Sequence, residues 1–378
     1  MLSPRPCLEP WKKSGGDSEK LRNFFENCFE EIINNRINEL ALNPILLNSL
    51  DLTPDGPLLM LEESVTSSKA WSSEELSKQD WTIKFSEETL NEVHIMGDRL
   101  CANPLPIHLR EPDEFEIPQL RRTISKAKNI LDQGCGFFVL ERMPMEELRE
   151  KEMIGCYWVI SQLIGRTVAQ KWDGAMIYEV TDTGLPFSYG VRGSYTNVEL
   201  VFHNDNAFGI SLPEYVGLLC KNPAHEGGVS RFCSLYSIHN RMLEKYPRQL
   251  ERLYQPMMFD RQKEHADGAP KTVWAPFFSW NGNQLTARVN VSLVHKGYTI
   301  AEKEMDEELK EALKTLEQIV SSSDLWIEAP LESGQMQFLN NLELVHYRSH
   351  FIDHEDPMLK RHLYRTWHRD SGSRSYDG

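Results

Sequence analysis

The chain has 378 residues, enough for one large domain with a real core or two small ones. Hydrophobic residues make up 40% and charged residues 26%, the balance of an ordinary globular protein. No stretch approaches the roughly 18 apolar residues of a membrane span, and a formal net charge of −15 repels nucleic-acid phosphates, so neither a membrane nor a nucleic-acid partner is expected.

The seven cysteines are scattered and contain no CxxC pair. Free thiols in a reducing compartment are therefore expected, and with no apolar signal core in the first twenty residues the expected location is cytoplasmic. The sequence leaves the oligomeric state open.

Residues 1–20 are polar and expected to be loose. From Glu19 to Leu47 apolar residues recur at helical spacing, through Leu21, Phe25, Phe29, Ile33 and Ile37. A second helix is expected over Glu87–Leu100, capped by Ser86, and a third over Ile117–Gln133, stopping at Gly134. The texture then changes. GFFVLER at 136–142 reads as a strand and Lys151–Ile164 as a helix. Short β-type runs follow, separated by Gly, Pro and Asn: VAQKW, MIYEV, VELVFH, YVGLLC, VSRFCSL, TVWAPFFSW, LTARVNVSLV, LWIEAPL, MQFLNN, LELVHYRSHF and KRHLYRTWH. Helical inserts interrupt them near Ser237–Tyr254 and Ile300–Ser321. Regularly spaced short strands predict a sandwich or barrel, so the fold class is α+β, mainly β. The expected organisation is a loose N-terminus (1–20), an N-terminal helical cover (21–133), a catalytic core (134–369) and a flexible tail (370–378).

The tripeptide His-x-Asp occurs four times, at 203, 265, 354 and 368. Residues i and i+2 at a strand end point the same way, which suits two ligands of one metal. Two imidazoles and one carboxylate suit a non-haem Fe(II) whose opposite face stays open. Chance alone gives about one such tripeptide, so context has to choose. His265 sits in a polar turn, His354 in a loop before proline, and His368 beside a Gly/Ser tail. Only His203 ends an apolar strand, VELVFH, and leads into a turn at Asp205. For the second histidine, His225, His239, His295, His350 and His362 compete with His346, which follows the run MQFLNNLELV.

A dicarboxylate 2-oxo acid that chelates such a metal needs a fixed cation for its far carboxylate, and arginine's fork matches that group. Arg361 lies 15 residues past His346, enough chain for a turn and a returning strand. Arg365 falls on the same side of that strand. Ser230, in GGVSRF, offers a hydroxyl.

Taken together, HND at 203, EGGVSRF at 226, FLNNLELVHYRSHF at 338 and KRHLYRTW at 360 resemble the taurine dioxygenase/clavaminate synthase-like family of Fe(II)- and 2-oxoglutarate-dependent oxygenases. GCGFFVLERMP at 134, RTVAQKWDGAMIYEVTDTG at 166 and AWSSEELSKQDW at 70 extend the likeness; residues 1–60 match weakly. The resemblance implies a double-stranded β-helix (a distorted jelly roll) with N-terminal and inserted helices. It implies Fe(II), 2-oxoglutarate and O₂, release of succinate and CO₂, and oxidation of an unactivated C–H bond of a small molecule by hydroxylation, desaturation or cyclisation. It carries the metal to His203, Asp205 and His346, and the cosubstrate carboxylate to Arg361 with Ser230 assisting. Arg365 either shares that duty or meets the substrate. Serine at 230 departs from the commoner threonine, and 206–210 lacks a small-residue tract. The rival expectation is a metal-binding, cupin-like jelly roll that uses no 2-oxo acid.

Substrate contacts are expected from strand parity and loop placement. Parity puts Glu199 and Val201 on the face of His203, toward the barrel interior. The segment FSYGVRGSYTN at 187–197 is expected to act as a lid, contributing Tyr189, Arg192 and Tyr195. Asn206, Phe208 and Arg288 complete the expected set.

Overall fold

A computed structural model describes residues 49–186, 188 and 190–377. The chain divides into Met1–Leu50 and Asp51–Gly378, and the second unit is described below. The expected loose N-terminus and the helix over Glu19–Leu47 lie outside the described residues.

Ser86 holds an extended backbone and its hydroxyl accepts from the Thr89 amide, which starts α1 (Glu87–Ala102) where the capping pattern places it. Proline at the first turn starts α2 (Pro118–Gln133), and α3 (Glu150–Gln162) follows. Their apolar stripes bury Val93, Met96, Ile124, Leu131, Tyr157 and Trp158 against Phe138, Phe338 and Tyr364 of a sheet.

The strands that build the core are β1 (Thr82–Lys84), β2 (Phe137–Glu141), β3 (Thr167–Val168), β4 (Ile177–Thr181), β5 (Leu200–His203), β6 (Tyr215–Asn222), β7 (Ser230–Ser234), β8 (Trp326–Ala329), β9 (Met336–Asn340), β10 (Leu344–Arg348) and β11 (His362–His368). Among the described residues they form a seven-stranded sheet ordered β1-β2-β9-β6-β11-β3, with β4 also on β11, and a four-stranded sheet ordered β8-β7-β10-β5. Neighbours are distant in sequence and antiparallel, except that β1 joins β2 in parallel. The segment expected as a purely helical cover therefore supplies an edge strand as well. Between the sheets Phe137 stacks on Phe232 at 4.4 Å, with Trp71, Trp81, Leu339 and Leu344 around them. This is a jelly roll: two facing sheets closed at one side by helices.

Three expectations need correction. The first insert is broken at Tyr246 by Pro247, giving α4 (Leu235–Lys245) and α5 (Pro247–Tyr254). The run LTARVNVSLV is a strand only over Leu285–Ala287; the Asn290 side chain then accepts from the Leu293 amide and starts α6 (Val291–Ile300), and α7 (Glu307–Val320) begins at its own Asp306 cap. Valines fit either period, and the cap decides. The residues expected as a flexible tail are tied down. Asp377 pairs with Arg369 at 2.8 Å and its carbonyl accepts from the Ile210 amide at 3.0 Å, while Tyr376 is buried.

Candidate metal centre

His203 ends β5 and stands directly across the ladder from His346 on β10, with ring centroids 4.3 Å apart. Asp205 follows in a turn that asparagines hold. Asn204 donates to the carbonyls of Asn341 and Leu344 at 2.6 and 2.8 Å, and Asn341 accepts from the Asp205 amide at 2.8 Å. Asn206 then takes a left-handed φ of 57°, which asparagine tolerates.

The two carboxylate oxygens of Asp205 face different partners. Oδ2 accepts from Arg365 Nη1 at 2.9 Å and from Trp367 Nε1 at 2.8 Å. Oδ1 faces Nε2 of His203 at 3.7 Å and Nε2 of His346 at 3.6 Å. Those separations are too long for good hydrogen bonds. Two ligand atoms about 2.1 Å from one ion lie roughly 3–3.4 Å apart, so a contraction of a few tenths of an ångström closes the three around a cation. The His203 Nδ1 sits 2.7 Å from the Val201 carbonyl, which fixes Nδ1 as the donor and frees Nε2 as a ligand. Burial opposes ionisation of Asp205, but the Arg365 charge and the two histidines outweigh it and hold the carboxyl well below its usual range. Burial, then the nearby His203, lower His346, which keeps its imidazole in the neutral form a metal takes. Among the described residues this is the only group of His, Cys, Asp and Glu side chains so gathered.

The other His-x-Asp tripeptides go elsewhere. His265 contacts the Ala266 carbonyl, and His354 packs its ring on His225. His368 lies on β11 rather than beside a loose tail; it is fully buried, with Nδ1 on the Gly165 carbonyl at 3.0 Å and Nε2 on the Thr366 hydroxyl at 2.9 Å.

Beside the triad lies a cavity of about 280 Å³, lined among others by Glu199, Val201, Asn206, Phe208, Arg365 and Tyr376. Glu199 and Val201 line the cavity with His203, but both are exposed rather than turned into the barrel interior, and Leu200 lines it too. Between the His203–His346 and Leu200–Arg348 pairs β5 carries one extra residue, and this bulge breaks the alternation. Glu199 is exposed at the mouth and accepts from the Tyr347 hydroxyl. Arg192 lines the cavity with its guanidinium committed to Glu264 at 2.6 Å and to the Gln170 carbonyl at 3.1 Å. Two expected contacts are not in the lining. Tyr195 stacks on Tyr178 at 5.2 Å, and Arg288 spends its guanidinium on the carbonyls of Ala207, Gly209 and Ile210. Tyr189 lies outside the described residues.

Arg365 is not a free cation. Besides Asp205 it donates from Nε to Gln170 at 2.8 Å and lies over the rings of Tyr178 and Trp367, 4.7 and 4.8 Å from their centroids. Arg361 is buried too, but its Nη1 has no partner among the described residues, and it packs so closely on Gly228 that a Cβ there would lie 2.9 Å from Arg361 Nε. Ser230 is half-buried two residues further on. Sequence reasoning missed Trp367, Gln170, Asn341 and Tyr376; each reaches the site only through contacts between segments distant in sequence.

Residues 103–367 match the family model described as taurine catabolism dioxygenase TauD, TfdA family. The chain belongs to the TauD/TfdA family of dioxygenases. Its relatives include FR-33289 synthase of Streptomyces rubellomurinus, 26% identical over 82% of this chain and 91% of that protein. A taurine hydroxylase-like protein, SAT17, of Stachybotrys chartarum is 25% identical over 80% of this chain and 78% of its own length. Among solved structures, asparagine oxygenase with Fe(II), hydroxyasparagine and succinate superposes with a TM-score of 0.57 at 20% identity, over 77% of this chain and 94% of that one. The non-haem iron oxygenase OrfP with Fe and alpha-ketoglutaric acid gives 0.55 at 14% identity over the same shares. These two share the jelly roll of this TauD/TfdA member.

Proposed function

We propose that His203, Asp205 and His346 hold Fe(II), and that the enzyme couples oxidative decarboxylation of 2-oxoglutarate, with O₂, to oxidation of an unactivated C–H bond of a small molecule. The observation that carries this is the division of labour at Asp205: one oxygen saturated by Arg365 and Trp367, the other left facing two imidazole nitrogens. Iron bound there supplies the activation of dioxygen.

The remaining roles belong to the chain. Arg361, buried with an unpaired Nη1, takes the far carboxylate of the cosubstrate with Ser230 beside it. Arg365 acts through Asp205 and fixes its orientation. The substrate occupies the cavity beside the triad, meeting Asn206 and Phe208 within and the Glu199 carboxylate at the mouth. Neighbouring structures are described as holding hydroxyasparagine and hydroxylated arginine. With a carboxylate at the mouth here, a small polar compound carrying an amine is the class to try first. Hydroxylation, desaturation and cyclisation are all open to such a site; a ligated Asp205 argues against halogenation, which must free that position.

The test is Fe(II)-dependent formation of succinate from 2-oxoglutarate, screened over amino acids, small organic acids and natural-product-like compounds. At least one compound should raise succinate release, and His346→Ala should abolish the rise. Succinate release that is independent of iron, or absent throughout, favours a metal-binding jelly roll without a 2-oxo acid.

A further inference from the structure

Side chains two apart on a strand share a face, so Arg348 follows His346 on the same side of β10. Across the ladder its partner is Ser230 on β7. Arg348 is 6% exposed and Arg361 5%. Both guanidinium groups lie against Phe351, 4.9 and 5.0 Å from the ring centroid. Arg348 donates from Nη2 to the Val198 carbonyl, but its Nε and Nη1, like Arg361 Nη1, are buried without a partner among the described residues. Two carboxylates are near enough to be felt, Asp182 by Arg348 and Asp353 by Arg361. They accept instead from the main-chain amides of Gly184 and Arg361, at 2.9 and 2.8 Å.

Two buried guanidiniums with open donors, and no carboxylate among the described residues taking them up, form a costly arrangement unless an anion completes it. The spacing suits one. Two residues of strand carry Arg348 about 6–7 Å from His346. A five-carbon diacid extended over four bonds of about 1.5 Å places its carboxyl carbons roughly 5 Å apart. We propose that Arg348 is a second cosubstrate-binding cation, holding the far carboxylate of the 2-oxo acid together with Arg361 and Ser230. This rests on the 2-oxo acid reading of the site. It makes the charge on the cosubstrate's tail, and not only its length, the feature the enzyme selects.

The experiment is anaerobic calorimetry of the Mn(II)-loaded full chain with 2-oxoglutarate and with 2-oxovalerate, which has the same carbon count and an uncharged tail. Wild-type protein should prefer 2-oxoglutarate strongly. Arg348→Met should weaken 2-oxoglutarate on the order of 30-fold while leaving 2-oxovalerate and Mn(II) affinity within about twofold. Arg348→Lys, which keeps the charge, should fall between. A merely structural role would weaken both 2-oxo acids together. If the preference for 2-oxoglutarate is unchanged in both variants, or if both ligands weaken in parallel, Arg348 is not an anchor. Should Arg348→Met fail to bind Mn(II), the Arg348→Lys comparison decides on the same criterion. Failure of wild-type protein to bind 2-oxoglutarate at all would instead overturn the underlying reading of the site.

Discussion

Neither Arg365 nor Trp367 is a candidate ligand, yet both are expected to control the metal position. Each donates to Asp205 Oδ2, and outer partners of a ligand commonly govern metal affinity by about 10–100-fold. Trp367→Phe keeps the ring and removes one donor, so Mn(II) affinity by calorimetry should drop within that range, with 2-oxoglutarate affinity of the loaded protein little changed. Arg361→Ala should do the converse, leaving the metal in place and raising the 2-oxoglutarate requirement roughly 30-fold or more. Identical profiles for the two variants would show that the metal-holding and cosubstrate-holding roles have not been told apart. His203, Asp205 and His346 could be read from the sequence because a strand end and a strand are local features. Trp367 and Gln170 could not, since their contacts exist only once β11 lies beside the Asp205 turn.

At the scale of an element, EGGVSRF is legible as a motif, but the burden of its glycines is not. Gly228 has a left-handed φ of 66°, and an added Cβ would meet Arg361 Nε at 2.9 Å and Ala224 at 3.4 Å. Gly228→Ala should therefore cost stability, on the order of 1–3 kcal/mol by the urea midpoint, and displace Arg361. Cosubstrate affinity should fall more than metal affinity; an unchanged 2-oxoglutarate affinity would mean that Arg361 is not held by this turn. The bulge in β5 marks a limit of pattern reading. Alternation put Glu199 and Val201 on the face of His203, where they line the cavity but stay exposed, and nothing in VELVFH announces the extra residue that brings Leu200 there too. The same limit explains 285–294, where valines suited a strand and a single asparagine cap made a helix.

At the scale of the molecule, residues 51–116 are proposed as part of the same folding unit as the sheets. They supply β1 to the large sheet and Val93, Met96, Trp71 and Trp81 to its two faces. Each large apolar side chain so buried contributes about 1.5–3 kcal/mol, so a chain beginning at Ile117 should be insoluble or inactive. Full activity from that chain would show that the cover is dispensable. Acid should act through buried imidazoles. Burial pushes His239 and His368 down to about 4. Above the ordinary value of about 6.5 both are neutral whether folded or not. Between about 6.5 and 4 the unfolded chain binds protons that the fold refuses, so stability present at pH 7.5 is lost on acidification, by on the order of 3 kcal/mol for each histidine. Urea midpoints at pH 7.5 and 5 should show the fall, and His368→Gln should blunt it.

The central claim is that the three converging side chains hold Fe(II) with room for a chelating 2-oxo acid. Anaerobic addition of Fe(II) and 2-oxoglutarate to the full chain tests it most directly, through the visible charge-transfer band that such a chelate gives. The band should appear only when both are present and should vanish in His203→Ala and His346→Ala. A wild-type protein that binds Fe(II) and 2-oxoglutarate without the band, or variants that keep it unchanged, would contradict the assignment.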